Sequence, residues 1–182
     1  MDGFLIAAVL FAALLHAGWN ALVKIGGDGL VTIFLFKTLS APVGAILLIF
    51  TGLPDTASMP YAFASGVILL FYCMFLGHAY QNADFSMVYP VARGVAPPAV
   101  AVLAMVLVGE TLESSVFIGT AIVSIGILLL TYARQIDRSV MAGLASAVGV
   151  GVTIAAYTLV DGIGARYSGD PIAYIAFLNL AT

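Results

Sequence analysis

The sequence predicts an all-α polytopic membrane protein, built as an antiparallel bundle of transmembrane helices. Of its 182 residues, 63% are hydrophobic and only 8% are charged, whereas a soluble domain has about 25% charged residues. The mean hydropathy is +1.15. A domain of this size can hide only about two thirds of its surface from water. So much apolar surface therefore requires lipid as the solvent.

Charge and cysteine content exclude several other classes. The formal net charge of −3 provides no basic surface for nucleic acid, so we expect no nucleic-acid partner. Cys73 is the single cysteine, which excludes a disulfide framework and the paired-cysteine spacing of a zinc site. We expect neither a cofactor nor a metal site.

Apolar runs of the length that crosses a bilayer, about 20 residues, occur six times. In order they are Phe4–Val23, Leu30–Phe50, Tyr61–Tyr80, Phe85–Val108, Ser115–Tyr132 and Val140–Val160. The first is longer than the apolar core of a signal peptide and has no Lys or Arg before it, so we interpret it as a retained helix. A seventh run, from Pro171 to Thr182, reaches only about 18 Å, and we expect the sequence to stop inside a helix.

The connections between the spans are short and rich in turn-forming residues, as in the Gly-Gly-Asp-Gly sequence at 26–29. None is long enough to be a soluble domain. Short connections place each helix antiparallel beside its neighbour. Asp84 is predicted to cap the fourth helix, and Thr111 or Ser114 the fifth.

The fourth span contains the most unusual stretch of the chain, residues 88–98, which include Tyr89, Arg93, Gly94 and three prolines. An arginine this deep in an apolar run is costly unless it is paired or reached by water. The prolines remove backbone donors and are predicted to break the helix. The energetic cost of Arg93 in lipid and the irregular backbone predicted around it together indicate a functional site. Arg93 could instead have a structural role and bind backbone carbonyls freed by the prolines or a group on another helix.

The first and sixth spans carry similar polar stripes. The first has His16, Asn20 and Lys24 at a spacing of four with Trp19 beside them, and the sixth has Thr153, Tyr157 and Asp161. Residues spaced by four share a helix face. If the sixth span repeats the first, the repeating unit has five helices. A unit with an odd number of helices ends on the opposite side of the membrane from where it began, so the second copy would have the inverted orientation. Inverted repeats of this kind are found in many secondary transporters.

A stripe of small residues on the sixth span predicts close helix packing. Gly143, Ala147, Gly151 and Ala155 recur every four residues, and small residues let helix backbones approach each other in lipid.

Three segments resemble motifs of one transporter family. They are residues 16–24 (HAGWNALVK), 84–94 (DFSMVYPVARG) and 109–112 (GETL), the last followed by Gly119 and Gly126. They are similar to the first-helix, fourth-helix and fifth-helix motifs of the EamA branch of the drug/metabolite transporter (DMT) superfamily. The resemblance implies ten helices in two inverted five-helix repeats around a central cavity. Residues 4–132 would be the first repeat and 140–182 an incomplete second repeat.

The resemblance also implies an integral protein of a bacterial-type inner (plasma) membrane with both termini in the cytoplasm. The loop cations favour the opposite orientation: Lys24, Arg134 and Arg138 fall on one side and Arg166 on the other, which alone places the N-terminus outside. The chain also departs from the small multidrug members, which exchange protons for cations at a first-helix glutamate. No acid lies between Gly3 and Ile25 here.

The predicted substrate-binding residues come from four spans: His16, Trp19, Asn20, Lys37, Tyr89, Arg93 and Tyr157. Arg93 and Lys37 would bind an anionic group of the substrate, although Lys37 could also extend to the membrane surface. His16 could act as a proton relay or as a helix–helix hydrogen bonder. We interpret Asp161 and Arg166 as rim or loop charges and assign His78 to the membrane interface.

These residues predict a secondary transporter of small polar metabolites, such as amino acids, related zwitterions or organic anions. It would be an exporter working by alternating access, with the bilayer and a small-molecule substrate as partners and a second copy of the chain as a candidate homodimer partner. No catalytic motif is present, and we expect no enzyme activity. Three alternatives stay open: a multidrug efflux member of the superfamily, a structural or assembly subunit, and an intramembrane enzyme or lipid-head-group binder.

Overall fold

The computed structural model describes residues 29–109, 111, 113–129 and 138–181, together with 3, 6–7, 10–11, 13–15 and 18; at 29–37, 128 and 139 it describes the backbone alone. These residues form helices and the turns between them, with no strand. The helices are α1 (Gly29–Thr51), α2 (Met59–Asn82), α3 (Phe85–Leu103), α4 (Ser114–Leu129), α5 (Arg138–Tyr167) and α6 (Pro171–Ala181). They follow, in order, the second to seventh runs of the sequence prediction.

Three segments are long and apolar enough to cross a membrane, counted over the described part of the chain: Thr56–Asn82, Phe85–Val108 and Val140–Tyr167. The shorter apolar helices are Thr38–Thr51, Ser114–Ile127 and Pro171–Ala181. The all-α class is therefore confirmed for the described residues, and the three long apolar segments are consistent with a membrane protein. The five-helix repeat and its inverted copy stay predictions.

The chain divides into two compact units, Met1–Pro42 and Val43–Thr182. In the first unit, the described residues up to Gly18 are helical and exposed. The second unit contains the end of α1 and all of α2 to α6.

Backbone carbonyls, rather than side chains, organise the starts of α3 and α4. Asp84 occupies the predicted capping position of α3, but its side chain makes no capping hydrogen bond. Its carbonyl accepts from the N–H groups of Met87 at 2.9 Å and Val88 at 3.0 Å. Helix α4 begins at Ser114, so the residue before its first turn is Glu113, whose carbonyl accepts from Val116 at 3.0 Å, and not the predicted Thr111 or Ser114.

The prediction that the prolines break the fourth helix at Arg93 is wrong. Helix α3 continues from Phe85 to Leu103 with all three prolines inside it. A proline φ near −65° fits a helix, and the ring removes one donor without forcing the chain out of the helical path when neighbouring helices hold it there. The irregularity lies later, in a π-helical turn at Ala104–Val108 that ends at Gly109 with φ +72°.

Helix α5 is the centre of the second unit, because both α2 and α3 pack along it. The predicted stripe of small residues is buried at all four positions. A methyl group added to Gly143 would lie 2.6 Å from the Cβ of Ala83, and one added to Gly151 would lie 2.8 Å from the carbonyl oxygen of Ala92. The helix-packing interpretation of this stripe is confirmed.

Helix α6 packs on α5 through a tyrosine. Tyr174 is only 1% exposed. A methyl group added to Gly164 of α5 would lie 2.5 Å from its hydroxyl. The other face of α6 contacts α1, where a methyl group on Gly44 would meet the carbonyl oxygen of Ala176 at 2.6 Å. Glycine is needed at position 44 because the backbone of α6 approaches too closely for a side chain, whereas at position 164 a methyl group would meet only the Tyr174 side chain.

Candidate functional site

Arg93 lies in a column of stacked aromatic rings. Its guanidinium carbon is 5.5 Å from the ring centroid of Tyr89, one helical turn earlier, which is cation–π geometry. The Tyr89 ring stacks on Phe85 at 5.3 Å between centroids, and Phe85 stacks on Tyr80 of α2 at 5.7 Å. Helix periodicity places Phe85, Tyr89 and Arg93 on one face of α3.

A second pair of tyrosines closes on the same arginine. Tyr72 of α2 and Tyr157 of α5 make an edge-to-face contact with ring centroids 6.3 Å apart. Tyr72 interacts electrostatically with Arg93 and Tyr89, and Tyr157 also interacts with Arg93. Tyr80 interacts with both Arg93 and Tyr72. We call Arg93 with Tyr72, Tyr80, Tyr89 and Tyr157 the tyrosine cluster.

Arg93 and Tyr157 lie well inside two of the candidate membrane-spanning segments. Arg93 follows the start of the Phe85–Val108 segment by eight residues, or about 12 Å. Tyr157 precedes the end of the Val140–Tyr167 segment by ten residues, or about 15 Å. Arg93 and Tyr157 therefore lie at least two helical turns inside these candidate spans, whereas Tyr80 lies two residues before the end of the Thr56–Asn82 segment.

The chemistry of the tyrosine cluster suits an anion with an apolar body. A guanidinium presents five N–H donors in a planar fork that matches a carboxylate. Each phenol adds a hydroxyl group and an aromatic wall. A low dielectric strengthens such contacts compared with water. The described residues contain no group of three His, Cys, Asp or Glu side chains that could hold a metal ion.

Of the seven predicted site residues, the structure brings together three: Tyr89, Arg93 and Tyr157. His16, Trp19 and Asn20 lie outside the described residues, and Lys37 is described by its backbone alone. The binding roles predicted for all seven residues stay predictions.

The sequence prediction missed Tyr72 and Tyr80, which α2 contributes to the tyrosine cluster. A signal was present, because Tyr72, Leu76 and Tyr80 are spaced by four and share one face of a helix. The same spacing marked the polar stripes of the first and sixth spans. In the third span, the prediction treated the tyrosines only as part of a hydrophobic run and did not consider the helix face that they share.

The polar stripe of α5 does not act as one unit. The Thr153 hydroxyl donates to carbonyls of its own helix, to Val150 at 2.8 Å and to Gly149 at 3.0 Å, so it is not directed at the tyrosine cluster. Asp161, one turn after Tyr157, accepts a hydrogen bond from the Tyr174 hydroxyl at 3.0 Å.

Asp161 and Arg166 were predicted to be rim or loop charges, and only the loop alternative is wrong. Helix α5 continues to Tyr167, so Asp161 and Arg166 are both helical. Arg166 is exposed and lines a cleft between α5 and the end of α3. His78, assigned to the membrane interface, joins α2 to α5, since its Nδ1 lies 2.8 Å from the Ser146 hydroxyl.

No family model, curated protein or solved structure matches this chain. The residues and the geometry of the tyrosine cluster are therefore the basis for proposing a function.

Proposed function

We propose that the protein is a secondary transporter of the EamA type that binds a small polar metabolite bearing a carboxylate at the tyrosine cluster. It exports this substrate across a bacterial-type inner membrane by alternating access. The observation that carries the proposal is Arg93, half-buried near the middle of a span and surrounded by tyrosines from three helices.

The cost of Arg93 supports a binding role. A charged side chain near the centre of a bilayer costs at least about 2.5 kcal/mol and is kept mainly where it contacts water, a substrate or a partner charge. A purely structural role for Arg93 would require only backbone carbonyl oxygens within hydrogen-bond distance of its guanidinium. Four phenols around one guanidinium go beyond that need, because they provide both an apolar wall and hydroxyl groups for a ligand.

The origin of these side chains in three helices supports alternating access. Tyr72 and Tyr80 come from α2, Tyr89 and Arg93 from α3, and Tyr157 from α5. A tilt of one helix relative to the others would open one side of the tyrosine cluster and close the other, while the substrate stays near the midplane. We assign this rocking motion to the two proposed repeats.

Uptake of radiolabelled carboxylates into proteoliposomes tests the proposal. We expect Arg93→Gln to reduce uptake of a carboxylate substrate about ten- to hundredfold, because a hydrogen bond to a charged group contributes about 1.5–3 kcal/mol. Arg93→Lys should fall between wild type and Arg93→Gln, since it keeps the charge but loses the fork.

The matched control is Val102→Ala, also on α3 and exposed on its apolar surface. It should leave uptake close to wild type. Equal uptake by Arg93→Gln and wild type, at equal amounts of folded and inserted protein, would remove Arg93 from the binding site and the proposal with it.

A further inference from the structure

Ser124 places a buried hydroxyl on α4, and only 5% of this residue is exposed. The hydroxyl has no hydrogen-bond partner among the residues that the structure describes. A serine or threonine inside a helix can donate to a carbonyl one turn earlier. Thr153 of α5 does so, but Ser124 does not. A buried polar group without a partner destabilises the conformation in which it occurs, so a hydroxyl at this position calls for an explanation.

Gly94 of α3 has a matching acceptor. In an α-helix its carbonyl would accept from the N–H of residue 98, and in a 3₁₀ turn from that of residue 97. Both of these residues are proline, which has no N–H. Gly94 is buried, and lipid provides no donor to replace them. The Gly94 carbonyl therefore lacks both donors that a helix normally supplies.

The hydroxyl and the carbonyl lie at similar levels of the hairpin that α3 and α4 form. Ser124 follows the first residue of α4 by ten positions, and Pro98 precedes the end of the π-helical turn at Val108 by ten. Each is therefore about 15 Å from the turn between the helices. Helix carbonyls point toward the C-terminal end, which brings the Gly94 oxygen toward the level of Pro98. The two oxygens are thus within about one helical turn of each other along the hairpin.

The side of α3 that carries Gly94 is the side that α4 covers. Gly94 and Ala101 are seven residues apart, so they share a face, and both are buried. On the other side of the same segment, Val106 and Leu107 are 73% and 68% exposed. A cleft separates the end of α3 from α5, and α4 is the other described helix that packs along α3. Ser124 and Gly94 therefore belong to the same helix–helix contact.

We propose that α3 bends at Gly94–Pro98 between two conformations and that Ser124 is the partner of the Gly94 carbonyl in the second. In the described conformation α3 continues as a helix through the prolines, and the Ser124 hydroxyl makes no hydrogen bond to a described residue. In the second conformation, the bend brings the Gly94 carbonyl to this hydroxyl, which donates to it. The serine destabilises one conformation and stabilises the other.

The position of the bend connects it to the tyrosine cluster. Arg93 immediately precedes Gly94, so a bend there moves the later part of α3 relative to the guanidinium. Prolines make such a bend easier because they remove hydrogen bonds from the helix. One hydrogen bond of ordinary strength then changes the ratio of two conformations about five- to tenfold. The inference rests on the proposed function only in taking this bend as a step of alternating access.

Stability without any ligand is the first test. Ser124→Ala removes a hydroxyl that makes no hydrogen bond to a described residue, so we expect a higher denaturant concentration at the unfolding midpoint in mixed micelles. Ser115→Ala, at an exposed position of the same helix, is the matched control and should leave the midpoint close to wild type. A lower midpoint in Ser124→Ala would show that the hydroxyl is already bonded in the described conformation, and would overturn the inference.

Distances between two spin labels test for the second conformation. In a Cys73→Ala background, the labels are attached at Val102→Cys on α3, after the bend, and at Val152→Cys on α5, both exposed positions. We expect two populations of distances. Adding Ser124→Ala should shift their ratio about five- to tenfold toward the described conformation. A single population, or a ratio that Ser124→Ala leaves unchanged, contradicts the inference.

Pro98→Ala identifies the acceptor, because it supplies the N–H that the Gly94 carbonyl lacks. It should shift the ratio in the same direction as Ser124→Ala, and the double variant should differ little from either single variant. Pro90→Ala is the matched control, since it supplies a donor to the carbonyl of Ser86 instead, and its effect should add to that of Ser124→Ala. Full additivity of Pro98→Ala and Ser124→Ala would remove Gly94 as the partner and overturn the inference.

These measurements need no substrate, so their outcome is separate from that of the proposed function. Unchanged distance ratios, together with loss of carboxylate uptake in Arg93→Gln, would overturn the bend and leave the binding site in place. The expected ratios, together with equal uptake by Arg93→Gln and wild type, would support the bend and remove the binding site.

Discussion

The two halves of helix α5 contact their neighbours through different kinds of residue. The first half presents Gly143, Ala147, Gly151 and Ala155 to its neighbours, and all four are buried. The second half, from Tyr157 onward, presents a phenol that contacts the Tyr72 ring of α2 and a carboxylate that accepts a hydrogen bond from Tyr174 of α6. Residue size and polarity change together within a single turn of the helix.

The difference shows what holds helices together in lipid. Apolar side chains gain little by leaving lipid for a protein interior, so association depends on close packing and on polar contacts. The first half of α5 uses close packing, with backbone almost touching backbone. Because that half anchors α2 and α3, the second half can keep larger, polar side chains around a site.

The largest effect should come from filling the close-packed half. In Gly151→Ala the new methyl group would lie 2.8 Å from the Ala92 carbonyl oxygen and from the Val95 Cβ. A backbone carbonyl cannot rotate away, so the two helices must separate. We expect a loss of about 3 kcal/mol in the free energy of unfolding, at the upper end for overpacking, measured by denaturant titration in mixed micelles.

Gly126→Ala on α4 is the matched control, because a methyl group there meets nothing within 4 Å. Alanine favours a helix over glycine by up to about 1 kcal/mol, so this variant should be as stable as wild type or slightly more stable. If Gly151→Ala and Gly126→Ala had the same free energy of unfolding, close packing of the first half of α5 would not be what holds α2 and α3 to it.

A smaller effect is expected in the polar half. Gly164→Ala places its methyl group against the ring and hydroxyl of Tyr174, which is the far end of a side chain and can turn aside. We expect a loss of about 1–2 kcal/mol in the free energy of unfolding, because the hydrogen bond from Tyr174 to Asp161 is strained or lost. The same titration measures it, and a loss larger than that of Gly151→Ala would reverse the comparison.

The sequence predicted the helices better than the site. Apolar length and turn residues predicted the start of α3 at Phe85 and of α6 at Pro171 as the structure has them. The end of α5 was placed seven residues early, at Val160, because Asp161 and the glycines beside it are typical of a loop. In the structure, Tyr174 and Gly164 pack there and keep the helix intact.

The tyrosine cluster could be predicted only in part, for a physical reason. Arg93 and Tyr89 are one turn apart, and spacing alone reveals such a pair. The partners of Arg93 on α2 and the pairing of Asp161 with Tyr174 depend on which helix faces meet. That choice is made by the close contacts of Gly143, Gly151 and Gly164, whose partners no single-helix pattern specifies.

The central claim is that the tyrosine cluster is a water-accessible substrate site, and cysteine modification tests it most directly. In a Cys73→Ala background, Tyr157→Cys should react with a negatively charged methanethiosulfonate reagent, because the reactive thiolate forms in water and not in lipid. A carboxylate substrate should slow the reaction. Val152→Cys, on the exposed apolar face of the same helix, should stay unmodified. If Tyr157→Cys were as unreactive as Val152→Cys, or reacted at a rate that no carboxylate ligand changed, the tyrosine cluster would not be a substrate site.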